Sequence, residues 1–234
     1  MLVNNINISS LDMKLLTVDI QSSEITNNCT WNVKAINPTF VINNTGFKNI
    51  RLEILCKGIS RQVILNNISN LVSEFIKNKS STVNLDKYDS NFICSLMKSL
   101  TNKTKSKFRY ILELELIGYE ENKTEASTII SDSNEHIIIC YGTTVTPCYL
   151  EILPEYSCSE ITLTGLSEDP IKIKNLTANV PIIIGYNNKI TQNGINKFND
   201  VELYEFPRLV PGNNIVKLSN DNVTLTIKYK ERYI

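Results

Sequence analysis

The sequence predicts a mainly β protein: an N-terminal β-sandwich carrying one amphipathic helix, followed by a C-terminal β-sandwich. Three observations carry this. Val223, Leu225, Ile227 and Tyr229 alternate with Thr224, Thr226, Lys228 and Lys230, the period-two pattern of a strand with one buried face. One window, residues 62–77, keeps helical spacing through Ile64, Leu65, Ile68, Leu71, Val72, Phe75 and Ile76. From Cys148 onward, short apolar runs recur between turn clusters with no helical period, the texture of a sandwich.

Taken in order, residues 2–6 and 13–20 read as strands. Trp31, the only tryptophan, opens a mixed strand or loop ending at Asn37-Pro38. Strands 40–42 and 50–56 are parted by the turn Asn43-Asn44-Thr45-Gly46. Ser60 suits an N-cap for the helix, and Lys77 suits the negative end of its dipole. Residues 85–88 and 92–97 are strand-like. In residues 108–117, Tyr110, Leu112, Leu114 and Leu116 oppose Arg109, Glu113 and Glu115. Residues 120–136 are polar and charged and read as a linker. This divides the chain into domains 1–138 and 139–234. Strands 148–153, 161–166, 171–174, 180–186 and 189–191 follow, with Asn187-Asn188 as a hairpin turn. A strand at 215–218 then reads as joined to the last strand by a hairpin turn at Ser219-Asn220-Asp221-Asn222.

Composition removes several classes. Lys plus Arg number 24 against 24 Asp plus Glu, so the basic excess of a free-standing nucleic-acid binder is missing. No apolar run reaches the ~18 residues of a membrane span. The start MLVNNINISSLDMKLL has neither a basic opening nor an apolar block, so no signal peptide and no export are expected. The six cysteines, at 29, 56, 94, 140, 148 and 158, form no Cys-x-x-Cys pair and read as free buried thiols.

Catalytic chemistry has little to stand on, and neither a cofactor nor a metal is expected. The single histidine, His136, lies beside Glu135 in the expected linker and reads as a surface residue. Glu168 and Asp169 precede Pro170 and read as a β-turn rather than a carboxylate pair. Nothing resembles a nucleophile elbow, a zinc-protease helix or a phosphate loop. The cluster Lys103, Lys105, Lys107 and Arg109, with Phe108 interleaved, allows a phosphate contact or a charged hairpin tip. Of these, Lys103, Lys105, Lys107 and Phe108 are the candidate subunit interface.

Several segments, in this order, resemble siphophage distal tail proteins. They are KLLTVDIQSSEIT, the Trp31 and Pro38 segment, SRQVILNNISNLVSEF, TPCYLEILP, ITLTGLSEDPIKIKNL and EFPRLVPGNNIV. The resemblance implies a first domain whose copies form a homo-hexameric ring, and a galectin-like second sandwich. It implies a structural, non-enzymatic subunit of a tail-tip or baseplate hub, joining the tail tube to receptor-binding tip proteins. It further implies a virion protein made in the bacterial host cytoplasm, with DNA passing through the ring without specific binding. The alternative is a carbohydrate-binding, lectin-like two-domain β module, which an exposed aromatic stacking platform would distinguish.

Overall fold

A computed structural model describes residues 1–30, 39–185 and 188–234. The expectations for Trp31 and Pro38, and the Asn187 half of the 187–188 turn, lie outside the described residues. The chain packs as two compact units, Met1–Glu121 with Ile234, and Asn122–Tyr233. The changeover therefore falls at Glu121/Asn122, ahead of the 138/139 divide read from the sequence.

In the first unit the main sheet runs β2 (Ile6–Asn7), β1 (Leu2–Val3), β7 (Ser81–Asn84), β8 (Ser90–Lys103), β9 (Arg109–Asn122), β6 (Lys48–Lys57), β3 (Met13–Gln21). The expected strand at 2–6 is really two. Asn4 and Asn5 adopt positive φ, 48° and 69°, and fold β1 back on β2. A separate pair, β4 (Ile25–Thr30) and β5 (Thr39–Thr45), is antiparallel.

The helix α1 (Arg61–Lys77) covers the sheet. Ile64, Ile68, Leu71 and Phe75 fall on one stripe and are all buried, in one core with Ile50, Leu52, Ile54, Phe92, Leu112, Leu114 and Leu116. Ser60 Oγ accepts a hydrogen bond from the Val63 N–H at 3.3 Å, which is the expected cap. Asn67 Nδ2 donates to the Leu11 carbonyl at 3.0 Å and ties the helix to the chain before β3.

The second unit is built from two sheets. One runs β10 (Ala126–Ile130), β21 (Val223–Tyr229), β12 (Thr146–Pro154), β15 (Ile182–Ile184), β16 (Ile190–Gln192), β17 (Ile195–Asn196), with β19 (Arg208–Leu209) beside β12. The other runs β11 (Glu135–Cys140), β20 (Gly212–Leu218), β13 (Cys158–Thr164), β14 (Ile171–Leu176), β18 (Val201–Glu202). Leu150, Ile152, Leu225 and Ile227 from the first sheet share a core with Ile161, Leu163, Ile173 and Val216 from the second.

Two expectations are corrected here. The stretch 120–136 is not a linker: β10 pairs with β21 from Ala126↔Tyr229 to Ile130↔Leu225, and β11 pairs with β20. Residues 219–222 do not join a hairpin. β20 and β21 belong to different sheets, so this turn carries the chain across the core. Both flanking strands have one apolar face, Val216 and Leu218 on one and Val223, Leu225 and Ile227 on the other. Placing those strands in facing sheets buries both faces against each other.

Candidate assembly interface

The candidate residues stand at the end of the β8–β9 hairpin. Lys103 is the last residue of β8, Lys105, Lys107 and Phe108 form the tip, and Arg109 opens β9. The tip is closed by Thr104, whose N–H donates to the Arg109 carbonyl at 3.3 Å and whose Oγ1 donates to the same carbonyl at 2.8 Å. Lys107 Nζ lies 5.7 Å from the centre of the Phe108 ring, within cation–π range. All four candidates are exposed, so the structure brings them together on one surface.

What the sequence missed is the length of the projecting strand. β8 continues to Lys103, and it is exposed from Met97 onward. Met97 and Leu100 are 66% and 42% exposed, and Phe108 is 44% exposed. On its outer side β8 pairs with β7 only between Asn91 and Cys94. Ser95 Oγ then donates to the Lys79 carbonyl at 2.9 Å, and no described strand flanks residues 96–103 on that side. The signal was present in the sequence, because the alternation of apolar residues stops after Leu96.

The opposite end of the same sheet is β3, with no described strand beyond it. Leu15, Val18 and Ile20 are only partly buried against the core, and Leu16 is 46% exposed. A groove of about 450 Å³ runs along the first half of β3, lined by Met1, Ile8, Leu15, Leu16, Val18 and Tyr88 among others. The Met1 amino group makes an ion pair with Asp86 on its rim at 3.0 Å. One sheet thus presents two different unpaired edges with donors and acceptors available.

The outward face of this sheet carries both signs, with Asp19, Glu53, Glu113 and Glu115 among Lys14, Arg51, Lys57 and Arg109. Glu53 and Glu113 sit directly opposite each other, an unfavourable cross-strand pair, and Arg51 lies 3.9 Å from Glu115. Asn102 Nδ2 donates to Glu113 and relieves part of that repulsion.

The remaining candidates resolve as structural contacts. His136 lies in β11, not in a linker, and its Nε2 sits 2.7 Å from Asp132 Oδ1. That contact, with the Asn134 N–H, holds the Asp132 carboxyl below its ordinary range. Glu168 accepts from Arg208 at 3.1 Å, and Arg208 also bridges to Glu205 at 2.9 Å, so the 167–170 turn is tied to the β19 segment. Cys56, Cys94, Cys140 and Cys148 are buried free thiols, and Cys158 is partly exposed. Burial pushes Cys94 and Cys148 up to about 12, which leaves them poor nucleophiles. Tyr149, the aromatic on the outer face of β12, has Lys228 Nζ 5.6 Å above its ring.

Comparison with known proteins agrees with this architecture. Residues 141–233 match the family described as the siphovirus-type tail component, C-terminal domain. No curated protein matches the chain by sequence. Among solved structures, the chain is similar to the Dit protein of phage SPP1, described as a paradigm of the hub adsorption apparatus in phages infecting Gram-positive hosts. The TM-score is 0.76 at 10% identity, over 100% of this chain and 98% of that one. It is also similar to a chain of the phage p2 baseplate in its activated conformation, in a structure with calcium. There the TM-score is 0.56 at 12% identity, over 97% of this chain and 94% of that one. A strontium form of the same baseplate gives 0.53 at 13% identity, over 95% and 92%. Residues 141–233 thus match a siphovirus-type tail-component domain, and over its full length the chain has the fold of the SPP1 Dit protein.

Proposed function

We propose that this protein is a structural subunit of a phage tail-tip hub, a ring that joins the tail tube to the host-recognition proteins. The observation that carries the reading is the full-length likeness to a hub protein, joined to a tail-component domain over residues 141–233. The first unit would supply the ring contacts, six-fold, with the Lys103–Phe108 tip reaching the neighbouring subunit. A ring requires two different surfaces per subunit, and the two unlike edges of the main sheet supply such a pair. Its outward face, where Glu53, Glu113 and Glu115 lie among Arg51, Lys57 and Arg109, has no basic excess and would suit a channel that DNA passes without being held. The role is one of assembly rather than catalysis. The galectin-like character of the second unit and its docking of tip proteins belong to the same proposal.

The test is negative-stain microscopy of the full chain over a concentration series, alone and with purified tail tubes. Six-fold rings, or rings capping tube ends, are the expected result. The absence of rings at every concentration, even with tubes present, would remove the hub assignment.

A further inference from the structure

We infer that the second unit carries a saccharide pocket beside the β16–β17 hairpin, and that it takes one pyranose residue stacked on Phe198. This adds a ligand to the assembly role above and does not depend on the ring contacts.

The pocket forms from local sequence. Asn193 and Gly194 adopt positive φ, 50° and 77°, and turn β16 back on β17 through a two-residue loop. The chain then enters a single 3-10 turn, Phe198–Asp200, and leaves Phe198 51% exposed. A cavity of about 320 Å³ lies here. Its lining joins buried Ile190 and the Phe198 ring to Lys189, Thr191 and Asn196. That is the size and make-up of a small-ligand site, an apolar body with a few polar groups.

The aromatic wall is held in place before any ligand arrives. Asn196 Oδ1 accepts from the Phe198 N–H at 2.9 Å. The Lys197 N–H donates to the Ile190 carbonyl at 3.0 Å and ties the turn back to β16. At the end of the turn Asp200 accepts from Lys197 Nζ at 2.9 Å and from Asn175 Nδ2, on β14, at 2.6 Å. A ring whose backbone is already fixed loses less conformational freedom when something stacks on it.

The polar groups select the ligand. Asn196 Oδ1 is occupied by the Phe198 N–H, so this side chain has its Nδ2 left to offer. Lys189 can only donate, and the Thr191 hydroxyl can do either. No carboxylate is among the described residues that line the cavity. The ligand must therefore set accepting oxygens around an apolar face. A pyranose does both. Its C–H face meets the negative face of the Phe198 ring, and its hydroxyl and ring oxygens reach the donors. An apolar peptide side chain would leave the donors unmatched, and a bare phosphate would leave Phe198 and Ile190 unused.

The experiment uses the full chain and saturation-transfer NMR with four probes, the methyl glycosides of glucose, galactose, rhamnose and N-acetylglucosamine. At least one is expected to bind at millimolar concentration, with transfer strongest at the C–H groups of one ring face. Phe198→Ala should weaken that binding about tenfold, and Phe198→Tyr, which keeps the ring, should hold it within about twofold. Asn196→Asp keeps an oxygen for the Phe198 N–H but removes the donor, and should weaken binding about fivefold. Phe198 and Asn196 are both exposed, so the fold should survive, which circular dichroism checks. No transfer to any of the four glycosides overturns the pocket. So does binding that neither Phe198→Ala nor Asn196→Asp weakens, because the sugar would then sit elsewhere.

Discussion

In the second unit the two main sheets turn their apolar faces toward each other, whereas in the first a single sheet closes on a helix and then runs past it. The second core draws on both sheets, and its closing strand β21 is flanked on both sides, by β10 and β12. In the first unit α1 covers the sheet only where Ile64, Ile68, Leu71 and Phe75 reach. Beyond that cover, β8 projects with both faces wet, and β3 ends the sheet with a half-covered apolar row. The two units therefore differ in how their sheets are covered. The sandwich covers each sheet with the other although its sheets too end on open strands, β10, β17, β11 and β18, whereas the helix leaves part of the first sheet uncovered on its face as well as at its edges. Under the proposed function, the first unit is the one that would carry the ring contacts.

The comparison breaks most visibly at the helix. Leu71 is fully buried in the first core. Leu71→Asp would place an unpaired carboxylate there and is expected to cost about 3 kcal/mol or more. Hydrogen exchange should rise throughout β6, β8 and β9 while the strands 146–154 and 223–229 keep their protection. Equal loss in both units would mean that they unfold as one body, and the contrast drawn above would fail.

The second unit has its own sensitive point at Gly165. Its φ is +91°, and an added Cβ would sit 1.8 Å from the Ile215 carbonyl oxygen. Gly165→Ala should cost about 2–3 kcal/mol, since the turn after β13 must shift away from β20. The loss should appear in strands 158–164 and 212–218. A neutral result, measured by chemical denaturation, would show that this turn is slack rather than pressed against its neighbour.

The same contrast governs what the sequence could reveal. Self-contained patterns were legible. The alternation at 223–229 marks β21, and the apolar stripe at 62–77 marks α1 to within one residue at its start. Patterns that depend on a distant partner were not. β10 has a single fully buried apolar residue, Ile130, and its register comes from β21, far along the chain, from Ala126↔Tyr229 to Ile130↔Leu225. That is why 120–136 looked like a linker. The 219–222 turn looked like a hairpin because a turn between two amphipathic strands has the same local sequence whether it stays in one sheet or crosses to another. In the candidate interface, the basic tip was visible as a charge cluster. The bare edge at β3 was not, because nothing in residues 13–20 says that this strand stands at the end of a sheet.

A smaller effect sharpens the picture of the helix. Ser60 Oγ satisfies one of the free N–H groups of the first turn. Ser60→Ala is expected to cost about 1 kcal/mol, read from the denaturation midpoint. Exchange should rise first in the opening turn of α1, leaving the second unit unaffected. A loss above about 2 kcal/mol would mean that the cap positions more than the helix end.

The smallest effect distinguishes the units by acid response. In the second unit Asp200 accepts from Lys197 Nζ at 2.9 Å and from Asn175 Nδ2 at 2.6 Å. The lysine contact, then the asparagine, holds its carboxyl below the ordinary value of 3.8. A carboxyl depressed in the folded state binds its proton less readily than in the unfolded chain. Its contribution is therefore complete above the unfolded value and is lost as pH falls through the folded one. Glu202, held low by Lys174, adds in the same direction on the neighbouring β18. Asp200→Asn removes the titrating group at this site while keeping its shape. Unfolding followed from pH 7 to pH 2 should show wild type and variant separated at neutral pH and converging in acid. The difference should be small, because both partners reach solvent. If the curves run parallel through the acid range, Asp200 does not carry this linkage. The acid response of the second unit would then belong to its other carboxylates, with Glu202 the next to substitute.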